Sequence, residues 1–341
     1  MKLTEERCKV YSIYEASKPL HLENGITSKS ERKEGIMNIT LLAYIRNWLE
    51  TTKKLEVKAA TYDRLNISIA ALEKYSIADI PLAELTTEDF REYVNALVED
   101  GYSLTTVKKQ MRIVSAPVRY AYEQRQIPFN PCAAVKVPSK VHIKKEAKQI
   151  VAYTTEEQNR IKPHLAKHGR IGFYAIELML ETGMRAGEVL ALNWSDVYLD
   201  RKRIRVHKTM VNLANKRISY IQEGAKSETS NRWVPLSPRA IEILTELRSK
   251  TNEEYLFQNA YGERLSYEGL RYQCQCACQE TGIPYLGLHV WRHTFATNQY
   301  YKGTDVKILS KILGHADTSI TYNIYIHLYG DGFDEMLSAV C

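Results

Sequence analysis

Four short segments of this 341-residue chain concentrate cations and potential nucleophiles. The first is Thr182-Gly183-Met184-Arg185-Ala186-Gly187-Glu188-Val189-Leu190. The second is Ala225-Lys226-Ser227, followed by Ser230, Arg232 and Val234-Pro235-Leu236. The third runs from Leu288 through His289, Trp291, Arg292 and His293 to Thr297, and the last joins Leu313-Gly314-His315 to Thr321 and Tyr325-Ile326-His327. Guanidinium groups are permanently charged forks, suited to an oxyanion that gains charge during a reaction. A phenol with a pKa near 10 is ionised to about one part in a thousand at neutral pH, so a tyrosine nucleophile needs a base or cations beside it. Singly, each residue has a bland explanation: a surface ion pair for Arg185, an ordinary turn lysine for Lys226, a satisfied helix histidine for His289, helix packing for Tyr325. Together they could catalyse nucleophilic substitution at a charged ester.

The elements that must position them follow from periodicity and capping. His289 precedes Arg292 by three residues, so on a helix both project from one face. Gly314 follows a helical pattern with core residues Val306, Leu309 and Leu313, a natural terminator that would aim His315 inward. Helical patterns cover 238–250, 266–280, 290–301 and 304–313, and Thr154-Thr155-Glu156-Glu157 opens another ahead of an apolar helix over 171–180. Between 197 and 236, β-formers cluster at 204–206, 218–221 and 232–236, which predicts a small antiparallel sheet, with Lys226 on a hairpin turn. Sheet set among helices without βαβ alternation makes this half α+β.

The first half is helical. One pattern carries Leu41, Ile45, Trp48 and Leu49; a second carries Tyr62, Leu65, Ile69 and Leu72. A third opens at Thr86-Thr87-Glu88-Asp89 and buries Phe90, Tyr93 and Leu97, and Ser103 caps a fourth. In the fourth, Lys108, Arg112 and Arg119 fall within about 40° of one another, beside an apolar stripe of Met111, Val114, Val118 and Tyr122. Pro117 is expected to kink it.

Length predicts two domains, and 44% apolar with 26% charged residues is ordinary for a soluble globular chain. No apolar stretch approaches a membrane span, and the N-terminus, with Lys2, Glu5, Glu6 and Arg7, lacks a signal-peptide core, which predicts a cytoplasmic location. The net charge of +7 is uneven: residues 101–150 hold ten Lys/Arg and two acids. That surplus falls on the fourth helix and on a basic linker over 136–150 that includes Lys140, Lys144 and Lys145, suiting both to a phosphate backbone. Residues 1–38 read as an extension or atypical arm, and Met37 offers an alternative start. Six cysteines include Cys274, Cys276 and Cys278; on a helix the first and last share a face, without the partners of a zinc site. No metal and no cofactor is expected, and Walker, HExxH and GxSxG motifs are absent.

In order and spacing, the four segments closely resemble the tyrosine recombinase, or phage-integrase, family. The resemblance covers most of the chain. It implies a multidomain, mainly helical protein: a helical SAM-like core DNA-binding domain over 39–135, including Ile127, Asn130 and Pro131, and an α+β catalytic domain over 151–341. It implies the catalytic set Arg185, Lys226, His289, Arg292, His315 and Tyr325, with Glu188 in support. In those roles Arg185 and Arg292 clamp a phosphodiester, and His289 and His315 donate to it or handle the nucleophile's proton. Tyr325 attacks phosphorus and Lys226 protonates the leaving 5′ oxygen. Tyr322 is a rival three residues away; Tyr325 is preferred because its Tyr-x-His ending and ten-residue offset from His315 fit the family pattern. The resemblance further implies double-stranded DNA sites, four protomers exchanging strands through a Holliday junction, and accessory excision or DNA-bending proteins. Phe333, Met336, Leu337 and Val340 would form a stripe for docking on a neighbouring subunit or on the chain's own domain. Integration or excision of a mobile element is the preferred role. Chromosome- or plasmid-dimer resolution, and a non-catalytic DNA-binding regulator of the same fold, are the alternatives.

Overall fold

The computed structural model describes residues 38–138, 152–167, 171–213, 218–224, 231–251, 254–315, 317–319 and 321–322. The chain divides between residues 147 and 148 into two compact units.

In the first unit, Thr40 caps α1 (Leu41–Trp48) by accepting from the Ala43 amide, and the helix turns Leu41, Tyr44 and Ile45 inward. Its start is strapped by Leu41 N–H donating to Ile80 O and Leu82 N–H donating to Ile39 O, both at 2.9 Å. Helix α2 (Ala59–Ala70) follows. Helix α3 (Thr87–Glu99) opens on the reciprocal Thr86–Asp89 capping box and buries Phe90, Tyr93, Val94 and Leu97. Ser103 caps α4 (Leu104–Glu123), which continues unbroken through Pro117. Met111, Val114 and Val118 enter the core as the periodicity predicts, but Tyr122 is 47% exposed. At that end Ala121 and Ile127 hold the interior positions instead. Lys108, Arg112 and Arg119 are exposed, and Arg119 pairs with Glu123 at 3.5 Å.

The second unit is built around α6 (Gly172–Thr182), nine of whose eleven residues are buried. Around it pack α5 (Thr155–Ala166), α7 (Ala186–Leu190), α8 (Pro238–Lys250), α9 (Tyr267–Thr281) and α10 (His289–Tyr301). The last described helix is α11 (Val306–Leu313). Helix α10 is anchored through Thr294, whose hydroxyl accepts the Tyr153 amide at 3.0 Å, and through Trp291, whose ring lies 4.7 Å from that of Tyr153. On α9, Cys274 and Cys278 are buried together while Cys276 is half-buried, the arrangement expected from helical spacing.

The β region forms two antiparallel pieces where one small sheet was expected. Strands β1 (Val197–Tyr198), β2 (Arg203–Val206) and β5 (Arg232–Pro235) make a three-stranded sheet in the order β1-β2-β5, and β3 (Lys208–Leu213) and β4 (Ile218–Glu223) make a separate ribbon. The division falls at His207. Asp196, 5% exposed, accepts from His207 Nε2 at 2.9 Å and from Lys208 Nζ at 2.8 Å, pinning the bend between β2 and β3. With β3 diverted, β5 returns to pair with β2, Ile204 opposite Val234. Among the described residues no helix is long and apolar enough to cross a membrane.

Candidate active site

Arg185 immediately precedes α7. Its backbone N–H donates to Glu188 Oε2 at 2.9 Å, and its Nη1 donates to Glu188 Oε1 at 2.8 Å. Glu188 lies on the first turn of the helix and is 5% exposed. Arg232, at the start of β5, meets the same carboxylate with both arms of its fork: Nη1 to Oε1 at 3.1 Å and Nη2 to Oε2 at 2.9 Å. Burial alone would raise the Glu188 pKa. The Arg232 hydrogen bonds, with the charges of Arg232 and Arg185, outweigh it and bring the carboxyl down to about 2. Two guanidiniums therefore share one permanently ionised carboxylate.

Arg292 on α10 is 2% exposed and spans two helix ends. Its Nη1 donates to Gly183 O at 2.9 Å and its Nη2 to Leu313 O at 2.8 Å. Both acceptors belong to C-terminal turns, where helix carbonyls lack intrahelical donors and carry partial negative charge. Both turns close on left-handed glycines, Gly183 at φ 65° and Gly314 at φ 67°. Around the end of α11 three successive carbonyls each take a different arginine: Ile312 O from Arg232 Nε at 2.8 Å, Leu313 O from Arg292, and Gly314 O from Arg185 Nη2 at 3.5 Å. A guanidinium has five donors. The two carbonyls leave Arg292 three, and burial followed by the Arg185 charge lowers its pKa only to about 9, so it stays protonated at neutral pH.

Gly183 tests this packing. A β-carbon there would overlap the Phe295 ring and lie 2.9 Å from Leu313 Cδ2. Gly183→Ala is expected to cost about 2–4 kcal/mol, from left-handed backbone strain and overpacking, and to displace a carbonyl that holds Arg292. An unchanged urea midpoint would contradict the packing.

Three imidazoles adjoin the arginines. His289 and His293 occupy successive turns of α10, with ring centroids 4.6 Å apart at 89°. His315 follows the Gly314 turn; its Nδ1 lies 2.7 Å from the hydroxyl of fully buried Thr321, which leaves Nε2 as the nitrogen for a substrate. Burial, followed by the charges of Arg292 and Arg185, lowers His315 to about 3. Burial, with His293, Arg292 and Arg185, lowers His289 to about 4, although its side chain reaches the surface. Both rings are neutral at pH 7, able to accept a proton or donate N–H.

A histidine whose folded pKa lies below its unfolded value of about 6.5 adds no pH dependence above that value. As pH falls toward about 4, the unfolded chain takes up protons that the folded site refuses, so stability drops. Melting of the DNA-free protein is therefore expected to fall between about pH 7 and about pH 5. His315→Gln should flatten that slope, and an equally steep slope in the variant would argue against the assignment.

Of the residues singled out from sequence, Arg185, Glu188, His289, Arg292 and His315 are gathered in one electrostatically coupled cluster. Lys226, Tyr325, Lys140, Lys144, Lys145, residues 1–37 and the apolar stripe after 331 lie outside the described residues. On α4, Arg112 and Arg119 line a cleft with Ser115 and Asn130. Arg232 and Thr321 join this cluster without having been expected there. For Arg232 a signal was present: strand alternation places it on the same face as Val234 and Leu236, both buried, and a charge in core register needs a partner. Among the described residues no group of three His, Cys, Asp or Glu side chains is placed to hold a metal.

Residues 141–331 match the model of the phage integrase family, and residues 40–137 match that of the phage integrase SAM-like domain. A tyrosine recombinase XerC-like protein of Caldanaerobacter subterraneus subsp. tengcongensis is 27% identical, over 88% of this chain and 84% of its own length. The ICEBs1 integrase of Bacillus subtilis is also 27% identical, over 77% of this chain and 71% of its own. The Tn1549 transposon integrase, solved in complex with a circular intermediate DNA, superposes with a TM-score of 0.71 at 19% identity, covering 84% of this chain and 94% of that one. A lambda integrase tetramer bound to a Holliday junction gives 0.63 at 19% identity, covering 87% and 80%.

Proposed function

The chain belongs to the phage integrase family of tyrosine recombinases, and we propose that this site-specific DNA recombinase integrates and excises a mobile element. The observation that carries the catalytic reading is the pair of guanidiniums, Arg185 and Arg292, fixed at the end of α11 beside two neutral imidazoles. Support for the mobile-element role comes from the ICEBs1 integrase relative and the fold shared with the Tn1549 transposon integrase.

In the reaction, the two arginines hold the non-bridging oxygens of a DNA phosphodiester. The Tyr325 oxygen attacks phosphorus, its proton passing to a neutral imidazole, His289 or His315. The bond to the 5′ oxygen breaks, and Lys226 supplies the proton that this oxygen takes up. The 3′-phosphotyrosyl ester conserves the bond energy, so a 5′ hydroxyl from another strand can reverse the sequence and join a new partner without ATP. Exposed Lys108, Arg112 and Arg119 of the helical unit, with Lys140, Lys144 and Lys145, meet backbone phosphates. Four protomers act together on two duplexes in the cytoplasm, the number found in the lambda integrase assembly on a Holliday junction. Accessory proteins that bend DNA or set direction complete the system.

A nicked duplex carrying the element's own end, incubated with the protein, should trap a covalent protein–DNA adduct. Specific binding without an adduct would favour the non-catalytic regulator, whereas relaxation of plasmids that lack any such site would indicate a topoisomerase. Resolution of dimers is the second recombinase reading, favoured by the XerC-like relative. Binding to separate arm-type sites would speak for integration. Lys226→Ala is expected to slow cleavage of an ordinary phosphodiester by roughly 10²–10⁴-fold, and far less when the leaving atom is a 5′ sulfur. Equal losses on both substrates would remove Lys226 as the general acid.

A further inference from the structure

We infer that Arg232 is a positioning residue that sets the charge of the phosphate clamp, by neutralising Glu188 so that Arg185 and Arg292 present two uncompensated positive charges to the reacting phosphate. The inference rests on the recombinase reading above. Arg232 is nearly enclosed, its side chain 8% exposed, and among the described residues it makes three hydrogen bonds: two to the Glu188 carboxylate and one to Ile312 O. It acts through the groups it holds.

The charge balance among the described groups of the network is simple. Arg185, Arg232 and Arg292 carry three positive charges and Glu188 carries one negative charge, while His289 and His315 are neutral at pH 7. The net charge is +2. A phosphodiester enters with one negative charge, and the tyrosine oxygen, whose proton passes to an imidazole, brings a second, so the pentavalent phosphorus group carries two. Two uncompensated guanidiniums therefore favour the phosphoryl group more in the transition state, where it is doubly negative, than in the ground state, which is the condition for faster chemistry rather than tighter binding. Without Arg232, Glu188 would be left to Arg185 alone, through the 2.8 Å side-chain contact already present. The clamp would then carry +1.

Geometry adds a second consequence. Arg232 opens β5 six residues after Lys226, and its Nε holds the end of α11 three residues before His315. A β-carbon on Gly314 would come within 3.0 Å of the Arg232 side chain, so this guanidinium packs directly against the turn that delivers His315. One side chain thereby joins the strand after Lys226, the carboxylate behind Arg185 and the turn before His315.

The test compares Arg232→Gln, Arg232→Lys and the double variant E188Q/R232Q in single-turnover cleavage of the nicked duplex, with DNA affinity and thermal melting measured alongside. Arg232→Gln is expected to cleave roughly 10–100-fold more slowly, the usual cost of losing a group one shell behind the reacting one, with DNA affinity unchanged. Arg232→Lys, which keeps the charge, should retain most of the rate. The double variant returns the network to +2 and should recover most of the loss. A scissile methylphosphonate needs one charge fewer in its transition state, so the deficit of Arg232→Gln should shrink on it. A purely structural role would move neither the double variant nor the methylphosphonate ratio in this way. A well-folded double variant no faster than Arg232→Gln, or an Arg232→Gln enzyme as fast as wild type, would overturn the inference. Should Arg232→Gln fail to fold, the double variant decides alone: folded and near wild-type rate supports the charge match, folded and slow overturns it. Failure of wild type itself on its verified ends would instead reject the recombinase reading.

Discussion

Tyr325→Phe is expected to abolish the covalent protein–DNA adduct while leaving site-specific DNA binding intact. Removal of the phenolic oxygen deletes the only atom that can form the phosphotyrosyl bond in the proposed reaction, so no slower version of the same route survives. Tyr322→Phe is the control. Tyr322 is 47% exposed, one residue beyond the buried Thr321 that holds His315, and its replacement should leave adduct formation near wild type. Denaturing gel electrophoresis of a labelled nicked duplex reads both results. An adduct that persists in Tyr325→Phe and vanishes in Tyr322→Phe would transfer the nucleophile by three residues.

Arg292 carries the second large effect, on chemistry and on folding together. In the proposed clamp it would meet charge that grows during attack, and loss of one such donor typically costs roughly 10²–10³ in rate. Its side chain also supplies donors to Gly183 O and Leu313 O in the interior. Arg292→Ala strands both carbonyls, at about 1–3 kcal/mol each, and leaves a cavity where a large buried side chain stood. Arg292→Lys separates the two roles. An ammonium keeps the charge but cannot reach two carbonyls and a phosphate from one planar fork, so cleavage should fall steeply while stability falls less. Single-turnover cleavage and urea unfolding measure the two quantities. A lysine variant with wild-type rate would show that bidentate geometry is not what Arg292 contributes.

Local rules made much of the framework legible. Thr86 with Asp89, Ser103, Thr154 with Glu157, and Gly314 all cap helices where short-range hydrogen-bonding chemistry places them. The i,i+3 spacing puts His289 and Arg292 on α10 as expected. Tyr122 departs from the pattern because a stripe of constant period assumes a core of constant depth, and at the end of α4 the interior positions belong to Ala121 and Ile127. The single expected sheet became two because the Asp196 pair with His207 and Lys208 diverts β3, a contact spanning eleven and twelve residues that leaves strand alternation unchanged.

By itself, the sequence determined the types, order and spacing of the side chains proposed for the reaction, from Arg185 to Tyr325. That information is local, because helix and strand periods and caps act over a few residues. Only the tertiary structure decided how the guanidiniums are held. Arg292 reaches a carbonyl 109 residues away, Arg185 one 129 residues away, and Arg232 one 80 residues away. Their acceptors are backbone oxygens, which every residue possesses and no residue type announces, and they become acceptors here because left-handed glycines end two helices at one place. The ionisation of Glu188, the neutrality of His289 and His315 and the role of Arg232 all depend on that convergence, since burial and neighbouring charge exist only once the chain is folded.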